Sequence, residues 1–582
     1  MATRYKNSVN DTGVPGWVGG VVPTNNDLAA FDSQIGALTQ ITLSTAAFPG
    51  GSFAYLSSTP ATDFYFGTTV SSTAFSMNQK LAGPSGPDNL YTVYIAPNKT
   101  FSYDGSFRAL NDASDYQPII FVDTGAGIVL NKNASDSVLG AIGSESVATP
   151  FVIEKRGEGW VLTGRGVTPA AFNQLFGKVQ IRQGEVRLDG GRTATAGYTS
   201  PLGNAATEFS ALGGSTPTLR FATTYSGVTT FGRADRTVTT GATFTTAGTI
   251  TVDSGFTATM QGAFTGSGTF TKDGAGTLSL TGTSLAMPLV LTSGTVQLGA
   301  SANFTGSTLS GTGTLAMNSG SLGSGSTISA SGHTGTITGN CSISGGVSTF
   351  GSQFTGTVSN ISSGIIDLTG TSTGGIASIG FAIINLTGSF SAAGTTALAG
   401  AGVNPATVNI SGAGAGFSNR TLTMASNSKL TLANGASAAN TITANVDTST
   451  VTLEVPNATT ATYSGTFSTN QASGSVKVQA LAGGTLILSG GFTSSNAGRT
   501  FALNNDAGYA GTLKATGAGF TGAAATLSRG TLHIAGSTNK NIGTTLTVVA
   551  GATMAHSPDV PVTLTGNLAL AANSTFRFGA PA

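Results

Sequence analysis

The sequence predicts an all-β chain, an elongated β-solenoid with an aromatic-rich N-terminal part, and three observations lead there. Glycine fills 84 of 582 positions, about twice the usual share. Short apolar alternations of period two are punctuated by Gly, Ser-Gly, Asp-Gly and Asn-Gly, the pattern of half-buried strands joined by tight turns. One phrase also recurs, a glycine followed by two apolar residues separated by one polar: Gly184-Glu185-Val186-Arg187-Leu188, Gly294-Thr295-Val296-Gln297-Leu298 and Gly530-Thr531-Leu532-His533-Ile534, with Gly484-Thr485-Leu486-Ile487-Leu488 as a variant. A strand that turns on glycine and buries two alternate side chains is one face of a rung. A single rung cannot bury that face alone, so rungs must stack.

Composition excludes several classes. Charged residues are 8% and the formal net charge is +1; the nearest approach to a basic cluster, Glu154-Lys155-Arg156, reads as an ordinary solvated turn, so nucleic acid is not an expected partner. Apolar residues are 39%, too many for a disordered chain. The single cysteine, Cys341, rules out an internal disulfide framework and a multi-cysteine metal site, and reads as a small buried hydrophobe.

Along the chain, Met1-Ala2-Thr3-Arg4-Tyr5-Lys6-Asn7 carries charge but no apolar h-region, so no secretory signal is expected. No run reaches the length of a membrane-spanning helix. The longest apolar stretches, such as Phe381-Ala382-Ile383-Ile384, are strand length. Residues 1 to about 240 hold most charges and aromatics, including Trp17, Trp160, Phe64-Tyr65-Phe66 and Tyr91-Thr92-Val93-Tyr94. From there the text is Gly, Thr, Ser, Ala and Leu, and between Asp273 and Arg420 only Asp367 is charged. We expect residues 1–150 to be a capping and anchoring β region and residues 151–582 to be the solenoid shaft, with rungs of roughly 20–25 residues. Leu278, Leu280, Val296 and Leu298 are expected inside.

The stretch Gly268 to Gly299 resembles the autotransporter-associated β-strand repeat of passenger domains and related bacterial surface proteins. The resemblance rests on Lys272, Gly274-Ala275-Gly276, the Leu278/Leu280 alternation, Gly282 and the closing Gly294-Thr295-Val296-Gln297-Leu298. A more diverged copy runs through Lys155, Gly157, Gly159, Trp160-Val161-Leu162 and Gly164 to Gly184-Glu185-Val186-Arg187-Leu188. The opening, Trp17-Val18-Gly19-Gly20 to Asp27 followed by Phe31, is similar to a first rung of such proteins. The resemblance implies a right-handed parallel β-helix used as a scaffold for adhesion, aggregation and coating, and implies no activity. The last residues, Thr575-Phe576-Arg577-Phe578-Gly579-Ala580-Pro581-Ala582, directly follow solenoid-like text, so the alternating membrane barrel of an autotransporter is not expected within this sequence.

Motifs of catalysis are weak. Gly370-Thr371-Ser372-Thr373-Gly374 fits a nucleophile elbow, but no helix pattern follows and only His333, His533 and His556 could partner it. Gly311-Thr312-Gly313-Thr314-Leu315-Ala316 fits a dinucleotide loop, again without a helix. Calcium nonapeptide repeats are absent. A carbohydrate depolymerase would need two carboxylates a few ångströms apart. Asp104, Asp112, Asp115, Asp123, Asp136, Glu145, Glu154 and Glu158 are available, and their spacing picks out no pair. Aromatics of the first zone read as core or as a sugar-stacking surface. Asn98-Lys99-Thr100 and Asn385-Leu386-Thr387 match glycosylation acceptors, as Thr-rich text does by chance.

We therefore expect no enzyme, catalytic residue, metal or cofactor. The expected role is a virion surface component of a bacteriophage, namely tail fibre, spike or head decoration. The alternative is a secreted bacterial adhesin, a passenger or a surface-layer protein at the cell surface. Expected partners are other virion or surface proteins through the N-terminal region, host surface glycans, and further copies of the chain.

Overall fold

The computed structural model describes strand segments only within residues 1–92 and most residues from 93 to 578; stretches outside the described residues include 110–118, 132–141, 145–151, 166–177, 189–205 and 222–241. Among the described residues the regular structure is all strand, with no helix. The strands pair in parallel, each with its counterpart one rung away. A hairpin of Leu81–Gly83 with Gly86–Tyr91 is antiparallel. This is a parallel β-solenoid. The chain divides into two compact units, Met1–Ala302 with Gly313–Ala316, and Asn303–Thr312 with Met317–Ala582.

In the first unit, Trp160–Arg165, Glu185–Leu188, Thr218–Phe221 and Gly248–Val252 stack in order. Their inward positions form the column Val161, Val186, Leu219 and Ile250, each fully buried. Outward positions alternate with these, as a two-residue period requires. A second face stacks Ala258, Leu278 and Val296 in one column and Met260, Leu280 and Leu298 in the next. Leu278, Leu280, Val296 and Leu298 are buried to 1% exposure or less, as their alternation predicts. Phe209 stacks on Phe244 at 4.5 Å between ring centroids, and Phe244 meets Phe270 at 5.1 Å. Rung length varies more than expected. Leu278 and Val296 are 18 positions apart, whereas Glu185 and Thr218 are 33 apart. Much of the extra length is residues 189–205, which lie outside the described residues.

In the second unit one aliphatic column runs through Ile366, Ile384, Val408, Leu430, Leu453, Val478, Leu503, Leu527 and Val548. All nine are at 0% exposure. Burying each such side chain contributes about 1.5–3 kcal/mol before ordering costs. The last residue in register, Leu570, is 48% exposed. Beside the column, Phe467 stacks on Phe492 at 5.4 Å and Phe492 meets Phe520 at 5.3 Å. Cys341 is buried as its solitary occurrence predicts, and that burial pushes its thiol up to about 12.

The recurring glycine phrase has one geometry. Gly184, Gly294 and Gly530 have φ of 66°, 68° and 61°, a region open mainly to glycine. A Cβ on Gly294 would lie 2.3 Å from the Gly274 carbonyl oxygen, and one on Gly184 would lie 2.3 Å from that of Gly159. Each glycine therefore lets its turn settle onto the turn of the rung before. Gly484 in the variant phrase has no positive φ, and its neighbour Gly483, at 76°, takes that role.

Candidate functional site

The repeat lysines are structural. Lys272 is fully buried, and its Nζ donates to the carbonyl oxygens of Asp273 at 2.7 Å, Gly274 at 2.6 Å and Ser293 at 3.3 Å. Lys155 does the same toward Arg156 at 2.9 Å, Gly157 at 2.7 Å and Gln183 at 3.2 Å. Both cations cap the stacked turns that Gly184 and Gly294 close, satisfying carbonyls that would otherwise be buried without donors. Burial lowers Lys155 to about 7, opposed by Glu158 and Glu185, and lowers Lys272 to about 8, opposed by Asp273. The two sequence copies are thus the same device built twice.

Arg420 is a larger version of it. Its Nε donates to Thr396 Oγ1 at 2.8 Å. Nη1 donates to Ala392 and Ala393 carbonyls at 3.0 and 3.3 Å, and Nη2 to those of Ile376 and Thr395 at 2.9 and 2.6 Å. A Cβ on Gly375 would sit 2.1 Å from Nη1, so that glycine makes room for the guanidinium. A cleft of about 410 Å³ opens at this corner, lined by Phe417, Asn419, Thr421, Ser437 and Thr441 among others. All five guanidinium N–H groups face carbonyls or Thr396, so Arg420 offers the cleft no free donor.

On the side of the second-unit strands away from the aliphatic column lies a polar column, partly exposed from Thr349 to Asn409 and buried at Thr431, Glu454 and Gln479. Thr349, Asp367, Asn385, Asn409, Thr431, Glu454 and Gln479 occupy one register position on seven successive strands. Thr349 Oγ1 donates to Asp367 Oδ2 at 3.3 Å, and Asn385 Nδ2 donates to Asp367 Oδ1 at 2.7 Å. Asn409 Nδ2 donates to Asn385 Oδ1 at 2.8 Å. Higher up, Glu454 accepts from Thr431 at 3.1 Å and Tyr509 at 2.7 Å, and pairs with Lys429 at 2.6 Å. The turn after Asn504, whose φ is 47°, folds back along the wall. There Asp506 accepts from Lys477 at 2.7 and 2.8 Å and from Gln479 at 3.1 Å. Burial pushes the Asp506 carboxyl up, but the bonds from Lys477 and Gln479 outweigh it and hold the group below its usual range. Burial, and then the bond to Glu454, raise the Tyr509 phenol well above its ordinary value.

The residues singled out in the sequence fare differently. Asp104, Asp112, Asp115, Asp136 and Glu145 lie outside the described residues, as does Trp17. The side chains of Phe31, Phe64, Tyr65 and Phe66 do too. Asp123 caps its own turn, accepting from the Thr124 N–H at 2.7 Å, and Glu158 is exposed on a turn. Glu154 is 3% exposed and held between Arg156 at 2.5 Å and Arg182 at 3.7 Å. Ser372 of the elbow-like string is buried in a short strand, its hydroxyl accepting from the Phe354 N–H at 2.9 Å. His333 is fully buried against Ser352 Oγ at 2.6 Å, and His533 contacts Ser557 Oγ. Trp160 is half-buried beneath the Arg187 guanidinium, 4.6 Å from its ring centroid. Asn385 is engaged in the polar column. The column itself was not visible in the sequence, because its members differ in type and recur at unequal intervals.

No family model matches the chain, and no curated protein does. Among solved structures it is similar to the Hap adhesin of Haemophilus influenzae, at 11% identity, covering 99% of this chain and 68% of that one with a TM-score of 0.24. A likeness at that level carries no argument; the solenoid rests on the strand register above.

Proposed function

We propose that this chain is a non-enzymatic, surface-displayed β-solenoid of bacterial origin that acts by adhesion, as a passenger-type module does. The observation that carries the reading is the outward polar column of the second unit. Its carboxylates are tied to donors: Asp367 to Thr349 and Asn385, Glu454 to Lys429, Thr431 and Tyr509. A glycan-cleaving pair needs one carboxyl with a raised pKa to serve as acid. Asp506 and Glu208 are instead both held below their usual range, their hydrogen bonds overcoming burial. Groups tied in this way serve acid-base chemistry poorly, and the partly exposed members, Thr349, Asp367, Asn385 and Asn409, suit recognition. The two copies of the lysine-capped turn support the surface-protein resemblance drawn from Gly268 to Gly299. The virion placement expected from the sequence gains nothing from the fold. Anchoring through residues 1–150 remains part of the proposal.

The test is display and attachment. Antibody against the chain should label intact producing cells, and beads coated with the chain should attach to host surfaces. Purified chain should release no oligosaccharide from host polysaccharide. Recovery of the chain only in purified phage particles overturns the placement. Release of oligosaccharides overturns the non-enzymatic reading.

A further inference from the structure

Two long paired strands of the second unit, Thr357–Leu368 and Ser378–Leu386, carry an anomaly on their outward face. Ile365, Phe381 and Ile383 are 40%, 52% and 36% exposed, while their neighbours Ile366, Ala382 and Ile384 are fully buried. Ile365 is paired in register with Ile383, and Phe381 is two residues before Ile383 on the same face. The three therefore form one contiguous patch rather than scattered exposed residues.

The patch is edged by the lower end of the polar column. Asp367 and Asn385 follow Ile365 and Ile383 by two positions each, and Asn409 lies one strand further. The amide ladder consumes one N–H of each Asn side chain. The second N–H of each amide and the remaining lone pairs are left for a ligand. An aromatic ring with two aliphatic side chains thus adjoins a row of donors and acceptors at strand spacing, about 4.8 Å per step.

Charge selects the occupant. Asp367 is the lone charged residue between Asp273 and Arg420, and its carboxylate is already bonded on both oxygens. Lys429, two strands beyond Ile383 in the same register column, is paired with Glu454 at 2.6 Å. A nucleic acid or an acidic polymer would need lysines or arginines here, and an anionic membrane would need them beside the patch. A pyranose needs neither. Its C–H face packs on an aromatic ring, and its hydroxyls hydrogen-bond amides and carboxylates at the rim. A polymer of such units can engage successive steps of the ladder. We propose that the wall formed by Ile365, Phe381 and Ile383, edged by Asp367, Asn385 and Asn409, binds an uncharged polysaccharide. This deepens the adhesion reading and rests on it.

The experiment uses the full chain on immobilised neutral, acidic and sulfated polysaccharides. The expected result is retention on a neutral polysaccharide, unchanged from low to high salt. Phe381→Ala should weaken it roughly tenfold with no change in melting temperature. Ile383→Thr, which keeps a β-branched side chain on an exposed position, should weaken it without disturbing the strand. Retention on acidic polymers alone, or retention of Phe381→Ala and Ile383→Thr equal to the parent chain, overturns the proposal. So does concentration-dependent self-association abolished by Phe381→Ala, which assigns the patch to a second copy. Attachment to host cells that persists after periodate destroys surface glycans sinks the glycan inference while leaving adhesion standing. Absence of any attachment sinks the adhesion reading itself.

Discussion

Residues 154–253 and residues 349–411 decorate the same kind of ladder differently. In the first stretch outward positions carry ion pairs: Arg156 with Glu154, Lys178 with Glu208 at 2.5 Å, Arg187 with Glu185 at 2.7 Å, and Arg220 with Asp253 at 2.9 Å. In the second, equivalent positions carry the Thr349, Asp367, Asn385 and Asn409 ladder beside exposed apolar side chains. Inward, the two do not differ, since both present fully buried aliphatic columns. Partly exposed ion pairs contribute about 0–1 kcal/mol each, and a hydrogen bond about 0.5–1.5. Neither approaches what the columns supply. The outer wall is therefore free to vary with what it must meet, while the interior is not.

The largest way to break this comparison is to charge the interior. Leu298→Asp in the first unit and Leu453→Asp in the second should each cost several kcal/mol, because a carboxylate would be buried without a partner. Denaturant unfolding should show losses of similar size. A tolerated substitution in one unit would show that its column does not hold it. Next come the corner cations. Lys272→Met removes three hydrogen bonds to carbonyls and Arg420→Met removes five, four to carbonyls and one to Thr396, although the Ile376 carbonyl keeps the Thr396 hydroxyl at 2.6 Å. Unsatisfied buried acceptors cost about 1–3 kcal/mol each where water cannot reach them. Arg420→Met should therefore be the more damaging by midpoint shift, and the reverse order would mean that solvent replaces the guanidinium.

The cation caps also separate what the sequence shows from what it hides. Lys155 and Lys272 were legible as repeat residues because each stands two residues before a turn glycine and the motif occurs twice, but the solvated turn expected at Glu154-Lys155-Arg156 is instead a strand with Glu154 and Lys155 buried. The fold was legible because period-two alternation and glycine phrases are local. Phe381-Ala382-Ile383-Ile384 read only as an apolar run of strand length. Pleating sends Ala382 and Ile384 inward and Phe381 and Ile383 outward, and the residues alone cannot say that the outward pair lacks a cover. The polar column is a register property. Asp367 to Asn385 is 18 positions and Glu454 to Gln479 is 25, so loop lengths decide which residues align. The clasp of Tyr509 on Glu454 spans 55 positions and has no local signature.

A smaller effect is pH dependence from Lys155. Burial lowers its pKa to about 7, below an ordinary lysine at about 10.4. Between those values the unfolded chain holds the proton and the folded chain gives it up, so stability rises with pH. The slope is about 1.4 kcal/mol per pH unit at most and half of that at pH 7, which integrates to roughly 1.5 kcal/mol from pH 7 to pH 8.5. Melting temperature should climb over that interval, and Lys155→Met should flatten the climb. A melting temperature that falls instead would show that the three carbonyls hold the ammonium charged.

The smallest effect separates the two walls by salt. Glu185 pairs with Arg187 at 2.7 Å and with Arg220 at 3.7 Å, and the two arginines are 31% and 37% exposed. Glu185→Gln should therefore cost under about 1 kcal/mol at low salt. Screening over about 8 Å at physiological ionic strength should shrink that cost further as salt is added. Asn385 donates to Asp367 and accepts from Asn409, so its removal breaks two bonds of the ladder. Asn385→Ala should cost about 1 kcal/mol and should hold that value across the salt range, since the amide carries no charge. The comparison is read from paired unfolding curves of both variants at low and high salt. A salt-dependent Asn385→Ala would mean that the Asp367 carboxylate draws its support from distant charge rather than from the ladder. The neutrality of that wall, and with it the preference for an uncharged ligand, would then be lost.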